Sequence, residues 1–167
     1  MATKTAVSEE EYLRTSFPDL DREFRDGEIL ERSLPTYTHG SNQMNWGSIF
    51  RPLRESHSLF PASELRLRLR PGRVVIADVA VFWPAEPAFS PPEAPPLIVI
   101  EILSPDDRMS DVRDKLQEYL DWGVRHIWLT DPHARALYVF GGDGLHEVTS
   151  YHVPEVALEV TRANIFD

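Results

Sequence analysis

Cysteine is absent from this sequence of 167 residues, and its absence removes two kinds of chemistry. The chain can form neither a disulfide bond nor a thiolate metal site, so its chemistry must use oxygen or nitrogen groups. No apolar run approaches the ~18 residues of a transmembrane helix, and residues 1–10 are polar and acidic, unlike a secretory signal. We therefore expect a cytoplasmic protein with no membrane partner.

Basic residues are scarce: the chain has 17 Lys and Arg against 27 Asp and Glu, a formal net charge of -10. A protein that coats nucleic acid normally carries a basic surface, so this class is disfavoured. A nuclease is not excluded, because a bound metal ion supplies its own positive charge.

Several catalytic motifs are also missing. The histidines form no HExxH motif, and no GxSxG elbow is present. The segment GGDG, residues 141–144, lacks the Lys-Ser/Thr of a phosphate-binding loop and indicates a turn.

The residues that are present indicate a globular protein. Hydrophobic residues make up 42% and charged residues 26%, as in ordinary globular chains. The length predicts one domain that buries roughly 70% of its unfolded surface.

Hydrophobic periodicity and turn residues predict helices and strands throughout the chain. Predicted helices lie in the segment AVSEEEYLRTS, residues 6–16, with Ser8 as its cap, in residues 39–56 with an interruption at Pro52, and in residues 111–122 between a Ser110 cap and Gly123. Predicted strands are a hairpin turning at Asp26-Gly27, the segments 63–70, 73–83, 97–104 and 124–132, and a hairpin around GGDG. Residues 84–96 are read as an extended Pro-rich loop, and the C-terminus as an irregular tail. Arg66, Arg68 and Arg70 form a stripe that either meets phosphates or, as we favour, is a solvated strand face.

The element order predicts the fold class. A helix that connects the strands 97–104 and 124–132 implies that these strands are parallel, whereas the earlier strands can pair antiparallel. We therefore predict an α/β fold of the α+β type, with a mixed central sheet flanked by helices.

Two carboxylates interrupt strands that are otherwise apolar on both faces: Asp78 in one and Glu101 in the other. A buried ionised carboxylate costs several kcal/mol unless it is paired, hydrogen-bonded or bound to metal. If the two strands are neighbours, the carboxylates converge on a hard-oxygen site suited to Mg²⁺ or Mn²⁺. The backbone carbonyl of Ile102 can supply a third ligand.

Lys115 is the candidate cation of this site, because it borders the apolar stripe of its helix and its four-carbon stem can reach the carboxylates. Three alternatives stay open. Glu101 can instead pair with Arg73 or with an arginine of residues 66–70. Asp78 can simply mark a strand end, and Lys115 can be a solvated helix lysine.

The sequence resembles the Uma family of restriction-endonuclease-like proteins, most specifically in residues 95–132, PPLIVIEILSPDDRMSDVRDKLQEYLDWGVRHIWLTDP. The family signature there is an apolar strand, Glu-x-x-Ser-Pro, a helix with Lys, Tyr and Gly-Val, then Trp-Leu and Asp-Pro. EFRDGEILE resembles the family's Glu-x-x-Asp-Gly-Glu hairpin, and IADVAVF its Pro-Asp-Val strand. The resemblance covers about residues 7–160.

The resemblance implies the restriction-endonuclease-like core of the PD-(D/E)XK nuclease superfamily, with residues 1–167 as one such domain. It implies that Asp78 and Glu101 are catalytic acids. The superfamily's lysine normally lies two residues after the acid, where this chain has Leu103, and the resemblance moves its role to Lys115.

Three further residues bear on the resemblance to this family. Ala77 replaces the usual proline before the aspartate without removing a ligand. Glu23, from the hairpin, is an accessory candidate in place of the superfamily's first-helix glutamate. His39 falls where the family often has a histidine, although a histidine that begins a helix is more typical of a polar surface residue.

Together these observations predict a Mg²⁺-dependent (or Mn²⁺-dependent) endonuclease that hydrolyses DNA. The resemblance, and the need for two sites to cut two strands, also imply a homodimer. One alternative is a catalytically inactive binding protein with a nuclease fold. Another is a metal-dependent hydrolase of a smaller phosphorylated substrate.

Overall fold

The computed structural model describes residues 6–167. The helices are α1 (Glu9–Arg14), α2 (Tyr37–Phe50), α3 (Leu53–His57), α4 (Met109–Trp122) and α5 (Arg162–Phe166). The strands are β1 (Glu23–Arg25), β2 (Glu28–Leu30), β3 (Phe60–Arg70), β4 (Arg73–Phe82), β5 (Ile98–Ile102), β6 (His126–Asp131), β7 (Ala136–Gly141), β8 (Gly144–Val148), β9 (Ser150–Val153) and β10 (Leu158–Thr161). No helix in this part of the chain has both the length and the apolar character that crossing a bilayer requires.

Strands β1 to β8 form one mixed sheet. Its order is β2-β1-β4-β5-β6-β7-β8, and β3 is also paired along β4. Strands β5 and β6 are parallel and joined by α4, whereas the remaining pairs in this sheet are antiparallel. The predicted mixed sheet with flanking helices is confirmed.

One edge of β4 changes partner along its length. Because β3 pairs with β4 from Arg73 to Phe82, β1 and β5 must share the opposite edge. There β1 pairs with Arg73 and Val74, and β5 pairs with residues 79–81. We call the interval between these two ladders, residues 75–78, the sheet fork.

Apolar side chains pack on both faces of the sheet, since alternate residues of a strand point to opposite faces. One face carries an aromatic cluster that consists of Trp46, Phe50, Trp128 and Tyr151. On the other face Leu116 and Tyr119 of α4 pack against Val99 and Leu129. This packing fixes α4 against the sheet beside the fork.

Helix α2 begins two residues earlier than predicted. The Thr36 hydroxyl caps it by accepting a hydrogen bond from the His39 N–H at 3.2 Å. It ends at Phe50, and α3 starts at Leu53. The predicted interruption at Pro52 is confirmed, because proline has no N–H to continue the helical ladder.

The predicted Ser110 cap of α4 is wrong. A tight turn, in which the Ser104 N–H donates to Asp107 Oδ2 at 2.8 Å, lets the helix begin at Met109. Arg108 therefore takes the N-cap position, and Ser110 lies inside the helix. The predicted end is confirmed: Gly123 adopts φ 103°, a conformation that favours glycine.

The C-terminus is not an irregular tail. Strands β9 and β10 form a two-stranded antiparallel sheet, and Thr161 and Asn164 build a capping box at the start of α5. Val153, Val160 and Ile165 are buried in the aromatic core. These elements have only four or five residues each, too few for sequence periodicity to reveal.

The arginine stripe of β3 is an ion-paired edge of the sheet, and of its members Arg70 is half exposed. Each of its three arginines forms salt bridges: Arg66 with Asp21, Arg68 with Glu9 and Glu93, and Arg70 with Asp26. Acidic residues of the N-terminal part and of the Pro-rich loop thus neutralise this edge of the sheet.

Arg66 has the most extensive contacts of the three. Its guanidinium pairs with Asp21 and donates to the backbone carbonyls of Tyr12, Leu13 and Thr15 at the end of α1. It also lies over the Tyr12 ring, 4.6 Å from the centroid. This arginine therefore fastens α1 to the sheet.

We predict that Arg66→Lys lowers the free energy of unfolding by about 2 kcal/mol, because an ammonium group cannot reproduce the planar set of N–H donors of a guanidinium. Arg70→Lys is the control, since Arg70 and Asp26 are about half exposed, at 53% and 61%, and it should cost less than about 0.5 kcal/mol. Urea denaturation measures both, and equal effects would contradict this role of Arg66.

Candidate active site

Glu101 is almost fully buried in β5, and both oxygens of its carboxylate accept hydrogen bonds. Oε1 accepts from the Tyr119 hydroxyl at 2.7 Å, and Oε2 accepts from Lys115 Nζ at 3.0 Å. Both donors lie on α4, one turn apart. The helix that follows β5 therefore supplies the partners that allow a carboxylate inside this strand.

Asp78 lies opposite Glu101, one residue beyond the last hydrogen-bonded pair of β4 and β5. Strands β4 and β5 pair antiparallel, and Val79↔Ile100 is their last pair on this side. Continuing the same register by one residue brings Asp78 opposite Glu101. The sequence prediction that the two carboxylates converge depends on this pairing, which the structure contains.

Donors from three different segments surround the Asp78 carboxylate. The Ile102 N–H donates to Oδ2 at 2.8 Å, and His39 Nε2 lies 3.2 Å from the same oxygen. Arg32 Nη2 donates to Oδ1 at 3.2 Å. Asp78 is only 4% exposed, so these contacts replace its hydration.

Lys115 is a largely buried cation, its side chain 18% exposed, rather than a solvated helix lysine. Its Nζ donates to Glu101 and to the Ile76 carbonyl, at 3.0 and 2.7 Å, and lies 3.0 Å from Glu23 Oε1. These acceptors match the three N–H groups of an ammonium. Burial lowers the pKa of Lys115, but the charges of Glu101 and Glu23 outweigh burial and raise it well above its usual range. Lys115 is therefore a fixed positive charge and not a base.

Glu23, in the hairpin of β1 and β2, forms a salt bridge with Lys115. Its carboxylate accepts from the Ile76 N–H at 3.2 Å and from Arg73 Nη1 at 3.0 Å. Arg73 in turn is held by both carboxylate oxygens of Glu118. Burial raises the pKa of Glu23, yet Lys115 and Arg73 together bring it below its usual value. Glu23 is thus an ionised member of the site.

The two central carboxylates differ in their affinity for protons. Burial raises the pKa of Glu101 to about 7, and the charge of Asp78 adds to this although Lys115 opposes it. Burial also acts on Asp78, but the hydrogen bond from His39 and the charge of Lys115 lower its pKa below the usual value. Glu101 is therefore the carboxylate of the pair that takes up a proton more readily, chiefly because it is buried.

His39 is buried, so its interpretation as a polar surface residue is wrong. Burial lowers the pKa of His39, whereas the hydrogen bond and charge of Asp78 raise it, and the net pKa is above the usual value. Its Nε2 faces a carboxylate, so this nitrogen carries the hydrogen. Thr36, which caps α2 at the His39 N–H, fixes the backbone of the histidine.

The alternative ion pairs for Glu101 are absent from residues 6–167. Arg73 binds Glu23 and Glu118 instead. The arginines of β3 bind the acidic residues described above, and the cation that meets Glu101 is Lys115.

Sequence reasoning missed four side chains of the site: Arg32, Gln43, Glu64 and Tyr119. The hydrophobic period of α4 includes Tyr119 in its apolar stripe, although its position four residues after Lys115 puts both on one helix face. Arg32 lies in the irregular segment 31–36, which carries no periodic signal. Glu64 belongs to the polar face of β3, and only the tertiary structure brings it close to Asp78.

A cavity of about 460 Å³ opens over these groups. Glu23, His39, Asp78, Glu101, Ile102 and Lys115 all line it. Among residues 6–167 no three or more His, Asp or Glu side chains are placed to form a complete protein cage for a metal ion. The buried acid pair nevertheless fits Mg²⁺, which takes one or two carboxylates and completes its shell with water and substrate phosphates.

Comparisons with known proteins agree with this fold. The family model Uma2, described as "Putative restriction endonuclease", matches residues 9–163. The crystal structure of "a putative nuclease belonging to DUF820" from Anabaena variabilis superposes with a TM-score of 0.79, at 22% sequence identity, over 96% of this chain and 97% of that one. At this identity the likeness establishes a shared fold. No curated protein matches the sequence.

We predict that Glu101 of the metal-free protein titrates with a pKa of about 7. In ¹³C spectra of glutamate-labelled protein, one carboxyl resonance should have this midpoint, and it should vanish in Glu101→Gln. Because the folded pKa is raised above its usual 4.5, the stabilisation by protonated Glu101 is complete at low pH and is lost as pH rises through this range.

As pH rises from 4.5 to about 7, the free energy of unfolding of the wild type should therefore fall relative to that of Glu101→Gln. Glu147→Gln, on the exposed face of β8, is the control and should leave the pH dependence unchanged. A spectrum in which every glutamate titrates near its usual pKa would contradict the prediction.

Proposed function

The chain belongs to the Uma2 family of restriction-endonuclease-like proteins, and from this premise we propose that it is a Mg²⁺-dependent endonuclease acting on DNA. The observation that carries the proposal is the buried pair Asp78 and Glu101, set opposite each other at the sheet fork below an open cavity. We further propose that residues 1–167 form a single nuclease-like domain and that the protein works in the cytoplasm.

The residues that would hold Mg²⁺ are Asp78, Glu101 and, through its backbone carbonyl, Ile102. The ion, when bound, would lower the pKa of a water molecule and offset the charge that develops on the phosphate. In the reaction the water oxygen bonds to phosphorus and one P–O ester bond breaks. The departing alkoxide takes up a proton, so the products are a phosphate monoester and an alcohol.

Lys115 positions the carboxylates during this reaction. It keeps Glu101 in place from α4 while Glu23 holds the same ammonium from the hairpin. Its raised pKa keeps it charged, so it contributes electrostatic stabilisation and leaves proton removal to the solvent. His39 and the Ile102 N–H fix the orientation of the Asp78 carboxylate.

The acidic surroundings favour one further candidate, a metal-dependent hydrolase of a smaller phosphorylated substrate. Glu31 and Asp111 line the cavity beside the buried acids, whereas DNA-binding surfaces are normally basic. Hydrolysis of bis(p-nitrophenyl) phosphate or of nucleotides, combined with intact plasmid DNA, would select this candidate.

We predict that Asp78→Asn and Glu101→Gln each slow Mg²⁺-dependent nicking of supercoiled plasmid at least about a hundredfold, because each removes charge from the cation site. Asp114→Asn is the matched control, since Asp114 is exposed on α4 next to Lys115. Gel electrophoresis measures nicking, and circular dichroism confirms folding. Wild-type activity in Asp78→Asn would refute the proposed site.

We also propose that the active form is a homodimer, so that two sites act on the two DNA strands. Light scattering at micromolar concentration should then give twice the chain mass of 19.1 kDa. A particle of only the single-chain mass, in preparations that cut both strands, would contradict a dimer.

A further inference from the structure

Arg32 is a second cation at the acid pair, and it is held differently from Lys115. Its Nη2 donates to Asp78 Oδ1 at 3.2 Å, and its Nη1 donates to Glu64 Oε2 at 2.5 Å. The side chain is 17% exposed and lines the cavity. It belongs to the irregular segment 31–36 between β2 and α2, whereas Lys115 is fixed on a packed helix.

Glu64 adopts a backbone conformation that serves this contact. It has φ 49° in the middle of β3, a left-handed conformation that costs a non-glycine residue stability. It lies between the pairs Ser63↔Val79 and Leu65↔Ala77, next to Asp78. Backbone strain of this kind persists where the surrounding structure requires it, as at functional sites.

A glutamine links Glu64 to the neighbouring strand. Gln43 Nε2 donates to Glu64 Oε1 at 3.0 Å and to the Asp78 backbone carbonyl at 2.8 Å. Both oxygens of Glu64 are therefore engaged, one by Gln43 and one by Arg32. The glutamate remains an anchor for Arg32 even when the contact between Arg32 and Asp78 is broken.

The contact between Arg32 and Asp78 competes with a divalent ion for the same carboxylate. Arg32 brings a positive charge to an oxygen that the ion would need, and two cations at one carboxylate repel each other. Within residues 6–167 the hydrogen bonds of Arg32 go to Asp78 and Glu64. Its remaining N–H groups are thus available to a ligand, and the planar guanidinium matches two oxygens of a phosphate.

We propose that Arg32 is a displaceable counterion that becomes a phosphate ligand. In the metal-free protein it neutralises Asp78. When a divalent cation binds Asp78, Arg32 keeps its pair with Glu64, releases Asp78 and donates to the phosphate of the substrate. This inference rests on the cation site of the proposed function, and it assigns Arg32 a substrate-binding role.

The test measures binding of Mn²⁺ alone, by isothermal titration calorimetry, and compares Arg32→Met with Arg25→Met. Loss of the competing charge should tighten Mn²⁺ binding by about tenfold in Arg32→Met. Arg25 lines the same cavity but pairs with Glu118 and not with the acid pair, so Arg25→Met should stay within about twofold of the wild type.

The same variants are then compared in single-turnover cleavage of supercoiled plasmid at saturating Mg²⁺. Arg32→Met should cleave about tenfold or more slowly than the wild type, although it binds the metal more tightly. A merely structural arginine would not give these opposite effects. Arg32→Gln, which keeps N–H donors, provides a second neutral variant if Arg32→Met fails to fold, and it should also bind Mn²⁺ more tightly.

Each outcome is decisive for this inference. Equal or weaker Mn²⁺ binding in the neutral variants overturns displacement while the proposed function stands. Unchanged cleavage at saturating Mg²⁺ overturns the phosphate role. If tighter Mn²⁺ binding is found but the wild type does not cleave DNA, displacement stands and the proposed endonuclease function fails. If neither the wild type nor any variant binds Mn²⁺, both proposals fail.

Discussion

The sheet fork is the constraint on which the site depends. Where β4 leaves β1 and has not yet joined β5, buried backbone groups lack a strand partner, and leaving them unpaired costs free energy. Charged side chains take that place: Glu23 accepts the Ile76 N–H, Lys115 donates to the Ile76 carbonyl, and Asp78 accepts the Ile102 N–H. The catalytic candidates are therefore also part of the sheet's own hydrogen bonding.

This double role explains how the protein retains buried charges of both signs. Arg73 and Lys115 hold the carboxylates together from β4 and α4, so the acids stay close even though each repels the others. Burial nevertheless raises the pKa of Glu101, so its ionised form is disfavoured in the metal-free protein. In our proposal a divalent cation stabilises the ionised pair, and Arg32 stabilises Asp78 until the cation arrives. In our proposal, folding and metal binding are coupled through the same groups.

The most informative parts of the site were predictable because they break a local pattern. Asp78 and Glu101 stand out as acids in apolar strands, and the helix between parallel strands brings Lys115 to the same place. Arg32 and Glu64 break no pattern, since one lies in an irregular segment and the other alternates correctly in its strand. Their role depends on which strands become neighbours. The C-terminal sheet escaped prediction for a different reason: its strands are too short to show a period.

The decisive measurement for the proposed metal site is a crystal structure of the protein soaked in Mn²⁺, with data collected at the manganese absorption edge. We expect an anomalous peak between the carboxylates of Asp78 and Glu101, with Lys115 still bound to Glu101 and with Arg32 turned away from Asp78. A structure whose carboxylates keep all their present partners, with manganese absent from the fork or bound elsewhere, would contradict it.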